Sequence, residues 1–312
     1  MKALLIVNPA AGRPRRDHMM WSAVQALRVC GWTLMVRTTA HPRHATALAR
    51  EVVARACDVV VVAGGDGTIS EAVDALPGTP TALAVLPLGT GNVWAAEIGL
   101  VRAPGVQPPA AVVAAARAPA RGRRREVDVE RCVVSDDGAR RGRARHFLLW
   151  AGAGLDARLV RAVEQGPAGA LKRRVGNLAY GVVALPLAWR FGGERVTVEL
   201  DGQRLESQVL MVHVANASRY AGGRVRLAPQ ARVDDGRLDV CVFRGEGFGQ
   251  TARHAWAVLR GRHLRSAAVV YRGGREMMVA GSSLPVQVDG DAIGRLPMTN
   301  TVVPRALRVC VP

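Results

Sequence analysis

Little in this chain is aromatic, little is acidic, and its cysteines are few and scattered. Phe, Trp and Tyr make up 4% of the 312 residues. That is thin provision for the stacking platforms that bind single-stranded nucleic acid, so nucleic acid is not expected as a partner. The five cysteines (Cys30, Cys57, Cys132, Cys241, Cys310) are odd in number and widely spaced, with no CxxC pair. They fit neither a disulfide framework nor a zinc site, and a reducing compartment is expected. The seven histidines show no metal-ligand spacing. Long apolar runs are missing as well. Ala3 to Val7 is too short for a signal peptide and is ended by Asn8-Pro9. Leu178 to Leu187 contains Gly181 and Pro186 and falls short of the ~20 residues that cross a bilayer. A cytoplasmic protein is expected, either soluble or held peripherally at a membrane.

What is present points to a folded chain that meets anions. Hydrophobic residues reach 49%, and 43 Lys and Arg against 25 Asp and Glu leave a net charge of +18. A surplus of that size favours nucleotides or an anionic membrane surface. The length suits two domains.

The chain is organised around Val59-Val60-Val61-Val62-Ala63-Gly64-Gly65-Asp66-Gly67-Thr68-Ile69-Ser70. A β-branched run suits a strand buried on both faces. Two glycines then break it, and Ile69, Val73 and Leu76 follow on one helical face. Strand, glycine turn and helix N-terminus together aim backbone N–H groups and the helix dipole at one spot, where a phosphate fits. An ordinary tight turn of an α/β sheet is the alternative.

Around this stretch, strands are expected at 3–7, 32–38, 58–62 and 81–86. Helices are expected after Asp17 as N-cap, over 45–55 and over 69–76. Alternation at this spacing implies a parallel sheet with right-handed crossovers, whose ligands sit beyond the C-terminal strand ends. Asn8, Thr39, Asp66 and Thr90 all follow such ends and should converge. From Pro104 to Arg125 the composition turns Pro-, Ala- and Arg-rich, as at an exposed boundary. The basic run 121–125 also reads as a solvated linker. Beyond it the pattern is mainly β (126–134, 145–151, 195–200, 205–214, 237–244, 268–271, 275–280, 284–289), with Asp-Gly turns at 136–138, 201–202 and 234–236, as in an antiparallel sandwich. Helical interruptions are expected within 156–190 and 248–261.

Three glycine-bearing loops on one sheet edge strengthen the phosphate reading. Asn8-Pro9 with Gly12, Gly64-Gly65-Asp66-Gly67-Thr68, and Leu86-Pro87-Leu88-Gly89-Thr90-Gly91-Asn92 also resemble the diacylglycerol kinase catalytic-domain superfamily, which includes bacterial lipid kinases and the sphingosine kinases. The likeness continues through Gly152-Ala153-Gly154-Leu155-Asp156, Asn216 to Tyr220 with Gly222-Gly223, Leu227-Ala228-Pro229, Asp234-Asp235-Gly236 and Val288-Asp289-Gly290-Asp291.

This resemblance implies an N-terminal doubly wound α/β nucleotide-binding domain and a C-terminal antiparallel β-sandwich with a cleft between them. The first would span 1–122 with a returning strand from about 298–312, the second 123–297. ATP and Mg²⁺ are the implied cofactors. By position, Asn8, Thr39, Gly64, Gly65, Asp66, Gly67, Thr68, Thr90 and Asn92 would meet the nucleotide, with Asp66 organising phosphate and metal. Arg232 and Arg237 carbonyls with the Asp235 carboxylate would match a secondary Mg²⁺ site; an ordinary Asp-Gly hairpin is the alternative there. Asp291 stands where the family has a glutamate as proposed base, one methylene shorter. Asp289, taken to lie on the same strand face, could share the role. A plain turn is again the alternative.

Two further departures touch specificity and fine structure: Val93-Trp94 follows Asn92 where many bacterial members carry an acidic residue, and Ala221 precedes Gly222-Gly223. The segment 171–191, basic at both ends and apolar between, suits either an anionic interface or a core helix. The resulting expectation is a lipid kinase acting on diacylglycerol or a sphingoid-like acceptor at an anionic membrane surface, with room for a homodimer. A soluble-substrate kinase of the NAD-kinase type and a non-catalytic nucleotide- or membrane-binding module stay open beside it.

Overall fold

The computed structural model describes residues 1–10, 16–119, 122–135, 143–165 and 178–312. Gly12, Arg121, the Asp136-Asp137-Gly138 turn and the basic stretch 171–174 lie outside the described residues. The chain forms two compact units, Met1–Val129 with Pro304–Pro312, and Glu130–Val303.

The first unit alternates strand and helix. β1 (Lys2–Val7), α1 (Arg16–Val29), β2 (Thr33–Thr38), α2 (His44–Ala54), β3 (Val59–Gly64), α3 (Asp66–Val73), β4 (Ala82–Pro87), α4 (Val93–Glu97) and α5 (Pro109–Arg117) follow in order. β5 (Arg124–Ser135) and, much later, β14 (Asp291–Cys310) each run from one unit into the other along the chain. The sheet order here is β14-β4-β3-β1-β2, all parallel where paired. Every residue of β3 and β4 is buried, because helices cover both faces. Leu5, Val61, Ala84 and Leu86 pack under Val24 and Leu27 of α1 and Val112 of α5. Leu4, Ile6, Val60, Val62, Leu83 and Val85 are equally buried on the opposite side.

Two helix starts differ from the pattern read off the sequence. Asp17 lies in the first turn of α1 rather than at its cap. α3 begins at Asp66, three residues early, because extended Gly65 is already its N-cap and its carbonyl accepts the N–H groups of Thr68 and Ile69.

The second unit is β-rich. It contains β6 (Arg143–Phe147), β7 (Trp150–Gly154), α6 (Leu155–Gln165), α7 (Leu178–Arg190), β8 (Glu194–Leu200), β9 (Gln203–Ala215), β10 (Leu238–Arg244), α8 (Gly247–Leu259), β11 (Val269–Gly274), β12 (Glu276–Ala280) and β13 (Pro285–Val288). Its pairings are antiparallel. The single strand expected over 145–151 is two, β6 and β7. Val198, Val212, Val214, Val240, Val286, Val288 and Met298 form its main core. The other face of β9 and β10 carries a smaller cluster with Cys241 and Phe243. Among the described residues, no helix is long and apolar enough to cross a membrane.

Candidate functional site

In the first unit the loops after β1, β3 and β4 are built into one another. Asn8 Nδ2 donates to Thr68 Oγ1 at 2.9 Å, tying the loop after β1 to the first turn of α3. A Cβ on Gly64 would stand 2.8 Å from that Thr68 oxygen, and one on Gly89 only 2.5 Å from the Cα of Gly65. Glycine is therefore required at both positions, since neither leaves room for a side chain. The Thr39 N–H donates to the Val7 carbonyl at 2.8 Å, which fixes the loop after β2 to the same sheet edge. Thr90 is exposed on the loop after β4.

Asp66 is more occupied than its sequence position suggests. Its Oδ2 accepts the Val93 N–H at 3.1 Å and its Oδ1 the Trp94 N–H at 3.0 Å, so it caps α4. A Cβ on Gly91 would stand 2.8 Å from Asp66 Oδ2. Burial raises the pKa of Asp66, with those two N–H bonds acting in the opposite direction. Asn92 is fully buried with φ 52°. Its Oδ1 accepts the Gly89 N–H, and its Nδ2 donates to the carbonyls of Pro87, Gly89 and Gly105. Asn92 thus shapes the loop, with both its oxygen and its NH₂ engaged by backbone groups.

The N-terminus of α3 is open by comparison. No side chain caps it, Gly67 is exposed, and a Cβ on Gly67 would meet no protein atom within 4 Å. Packing does not account for that glycine, and an open helix end of this kind suits an anion. The residues present therefore fit a nucleotide's phosphates.

In the second unit, Val288 pairs with Asp291. Asp289 and Gly290, at φ 48° and 90°, form the two-residue turn between β13 and β14, a role suited to Asp-Gly. Asp289 and Asp291 therefore do not share a strand face, contrary to the sequence expectation. Asp289 turns back into the protein. Its Oδ1 accepts the N–H groups of Leu149 and Trp150, each at 3.1 Å, and its Oδ2 that of Leu148 at 3.3 Å. Asp291 opens β14 with its side chain 43% exposed, and Oδ2 lies 3.5 Å from Arg145, itself 4% exposed.

Arg232, Asp235 and Arg237 sit on an exposed turn. Asp235 Oδ1 accepts the Arg237 N–H at 3.1 Å, Arg237 donates to the Gly273 carbonyl at 2.9 Å, and Arg232 lies 3.6 Å from Asp234. One carboxylate and two carbonyls are hard oxygen donors that suit a Mg²⁺ retaining most of its water. No group of three or more His, Cys, Asp or Glu side chains forms a metal centre among the described residues.

Sequence reasoning passed over several buried polar groups. Asp156, at the start of α6, is pushed up to about 6 by burial, against hydrogen bonds from the Ala157 N–H and Gln287. His213 is pushed down to about 3, chiefly by burial and then by His263; its Nδ1 has no hydrogen-bond partner among the described residues, and its ring meets Tyr220 edge-on. Asp239 is raised by burial, while the Tyr271 hydroxyl, donating to it at 2.6 Å, opposes the shift. Only Asp156 left a signal, an acid two residues after a glycine-rich strand end. The others show as polar letters within β-strands.

Residues 2–132 match the diacylglycerol kinase catalytic domain, and residues 150–311 match the YegS C-terminal NAD kinase beta sandwich-like domain. The diacylglycerol kinase of Bacillus subtilis is 26% identical over 100% of this chain and 96% of its own length. That of Mycobacterium tuberculosis is 27% identical over 100% and 95%. A crystal structure of a diacylglycerol kinase from Bacillus anthracis superposes with a TM-score of 0.71 at 20% identity, covering 100% of this chain and 97% of the other, a likeness of fold.

Proposed function

Because the chain belongs to the diacylglycerol kinase catalytic-domain superfamily, we propose that this kinase is an ATP-dependent lipid kinase. It transfers the γ-phosphoryl of ATP to a hydroxyl of diacylglycerol or a sphingoid-like acceptor. The open N-terminus of α3 carries the reading: it is uncapped and bears a glycine that packing does not require, and Asn8 ties the neighbouring loop to its first turn.

Phosphoryl transfer asks a protein mainly to position the groups and to offset developing charge. In this proposal Gly65, Gly67 and Thr68 receive the phosphates, with Thr39 and Thr90 at the same strand ends. Asn8, Gly64 and Asn92 hold those loops in shape. Asp66 first caps α4; with the phosphates bound, its carboxylate would also help to hold a Mg²⁺, which would offset the charge that develops in transfer. Asp291 takes the proton of the acceptor hydroxyl, and Asp289 clamps the turn that presents it. The carbonyls of Arg232 and Arg237 with the Asp235 carboxylate would hold a second, structural Mg²⁺.

The protein meets its substrate at an anionic membrane surface. Leu185 and Trp189 on α7 and Trp256 and Leu259 on α8 are exposed, Trp189 touches Phe248 of α8, and Arg190, Arg253, Arg260, Arg262 and Arg265 are exposed on or beside these helices. Indole rings flanked by arginines suit a headgroup layer.

The direct test incubates purified protein with ATP, Mg²⁺ and a panel of lipids in mixed micelles. A phospholipid product from diacylglycerol or a sphingoid base is expected, lost on chelation. Folded protein that phosphorylates no lipid overturns the proposal, and turnover of a soluble acceptor such as NAD redirects it.

A further inference from the structure

The turn that carries Asp291 is held from two sides, and one of them is a buried polar chain that reaches back to α6. Gln287 on β13 pairs with Gly152 on β7, so the two share a face of the sheet. Their neighbours Val286, Val288, Ala151 and Ala153 point into the main core on the other face. Gly152 has no side chain, and the Asp156 carboxylate takes that room: a Cβ there would lie 2.4 Å from Asp156 Oδ2. Gln287 Nε2 donates to the same Oδ2 at 3.2 Å, and Gln287 Oε1 accepts the Gly290 N–H at 2.9 Å. Asp156 is 5% exposed and Gln287 1%.

The chemistry allows one arrangement of this chain. The Gly290 N–H can only donate, so the amide must turn its oxygen to Gly290 and its NH₂ to Asp156. Asp156 in turn serves two donors, Gln287 through Oδ2 and the Ala157 N–H through Oδ1 at 2.7 Å. A carboxylate has an oxygen for each; an amide has one oxygen for both. Gly290 immediately precedes Asp291, so the amide orientation sets the backbone from which that carboxylate projects. The Asp289 carboxylate grips the other side of the turn through Leu148, Leu149 and Trp150.

We propose that Gln287, oriented by Asp156, is a positioning residue that fixes where the Asp291 carboxylate stands. The inference rests on the reading of Asp291 as the group that meets the acceptor hydroxyl.

Asp156→Asn, Gln287→Glu and the double variant test it. Asp156→Asn leaves two N–H donors competing for one oxygen, and Gln287→Glu sets two acceptors face to face. Together they restore the pattern. The amide introduced by Asp156→Asn accepts from Ala157 and donates to the carboxylate introduced by Gln287→Glu, whose second oxygen accepts from Gly290. Each single variant is expected to lower kcat for lipid phosphorylation about ten- to a hundredfold, the scale of a misplaced group, with KM for ATP unchanged. The double variant should recover most of that loss. Tyr271→Phe, which removes a part-buried hydrogen bond to Asp239 away from the turn, should lower the melting temperature and spare kcat.

A double variant no better than the singles overturns the inference, as do single variants with full kcat. So does a Tyr271→Phe variant that loses kcat in step with stability. If a single variant does not fold, a folded double variant with kcat well below the parent overturns it equally. Asp291→Asn separates the two readings. An active Asp291→Asn enzyme removes the basis for both, whereas an inactive one alongside an unrescued double variant refutes positioning alone.

Discussion

Alanine at Gly67 and alanine at Gly89 should fail in different ways. Gly67 is the second residue of α3 and lies outside the positive-φ region, and its added Cβ would meet no protein atom. In a helix, alanine at such a site is favoured over glycine by roughly 0.5–1 kcal/mol. The melting temperature of Gly67→Ala should therefore hold or rise. If phosphates rest on this helix end, the same methyl occupies their place. A loss of at least ~1.4 kcal/mol in nucleotide binding, about tenfold in Kd, is then expected. At Gly89 the Cβ would stand 2.5 Å from Gly65 Cα and 2.9 Å from Asn92 Oδ1, against a normal carbon contact of about 3.5–4 Å. Both loops must move by about 1 Å, at roughly 1–3 kcal/mol of stability, and nucleotide affinity should fall with it. Thermal unfolding by circular dichroism and calorimetric titration with ATP measure both quantities. A Gly67→Ala protein that binds ATP as tightly as the parent refutes the placement of phosphates at α3, whatever Gly89→Ala does.

Asp291→Ala should abolish lipid phosphorylation while leaving ATP affinity within about twofold, and Asp291→Glu should retain measurable kcat; a loss of ATP binding would count against the division of roles. Asp156, raised from 3.8 to about 6 by burial, disfavours the folded state once ionised. Its contribution is best below about pH 4 and is lost as pH rises through 6. Two pKa units correspond to about 3 kcal/mol, so in urea titrations the stability of the parent relative to Asp156→Asn should fall by up to that amount between pH 4 and 7. His213 has the opposite sign: lowered to about 3, it supports folding above pH 6.5 and withdraws that support as pH falls toward 3, so His213→Phe should resist acid better than the parent. Asn300 is wholly buried, and both its amide atoms lack a partner among the described residues. Asn300→Leu should stabilise the protein by about 1–3 kcal/mol, and a lower melting temperature would mean that the amide has a partner after all.

What the sequence disclosed and what it hid follow a physical division. The run Val59 to Val62 announced a strand buried on both faces, and the glycines at 64, 65 and 89 announced turns at strand ends; both are local properties, written in residue type and period. Hydrogen-bond direction is not. Nothing in the letters around Asp66 says that its two oxygens cap α4, or that the Asn92 amide bonds to the backbone of Pro87, Gly89 and Gly105. Asp289 and Asp291 look equivalent in sequence, yet the positive φ of Asp289 turns one into a clamp and leaves the other facing solvent. Arg145, beside Asp291, comes from more than a hundred residues away in the chain, and Gln287, beneath it, is brought there by the hairpin. Only the register reveals that Asp156 fills the space Gly152 leaves empty.

β14 has a consequence for the order in which the molecule can be made. The Pro304–Pro312 segment belongs to the first unit. There Val309 pairs with Leu83 of β4, the Ala306 carbonyl accepts the Gly78 N–H, the Arg305 N–H donates to buried Asp128, and the Val311 N–H donates to the Arg123 carbonyl. A ribosome delivers those residues only after the whole second unit. Until then β4 exposes an unpaired apolar edge through the synthesis of the whole second unit, which can fold first. Arrival of residues 304–312, rather than completion of residue 129, is the moment at which the first unit's sheet gains this strand, and cutting the gene at the unit boundary would yield a first unit that lacks it.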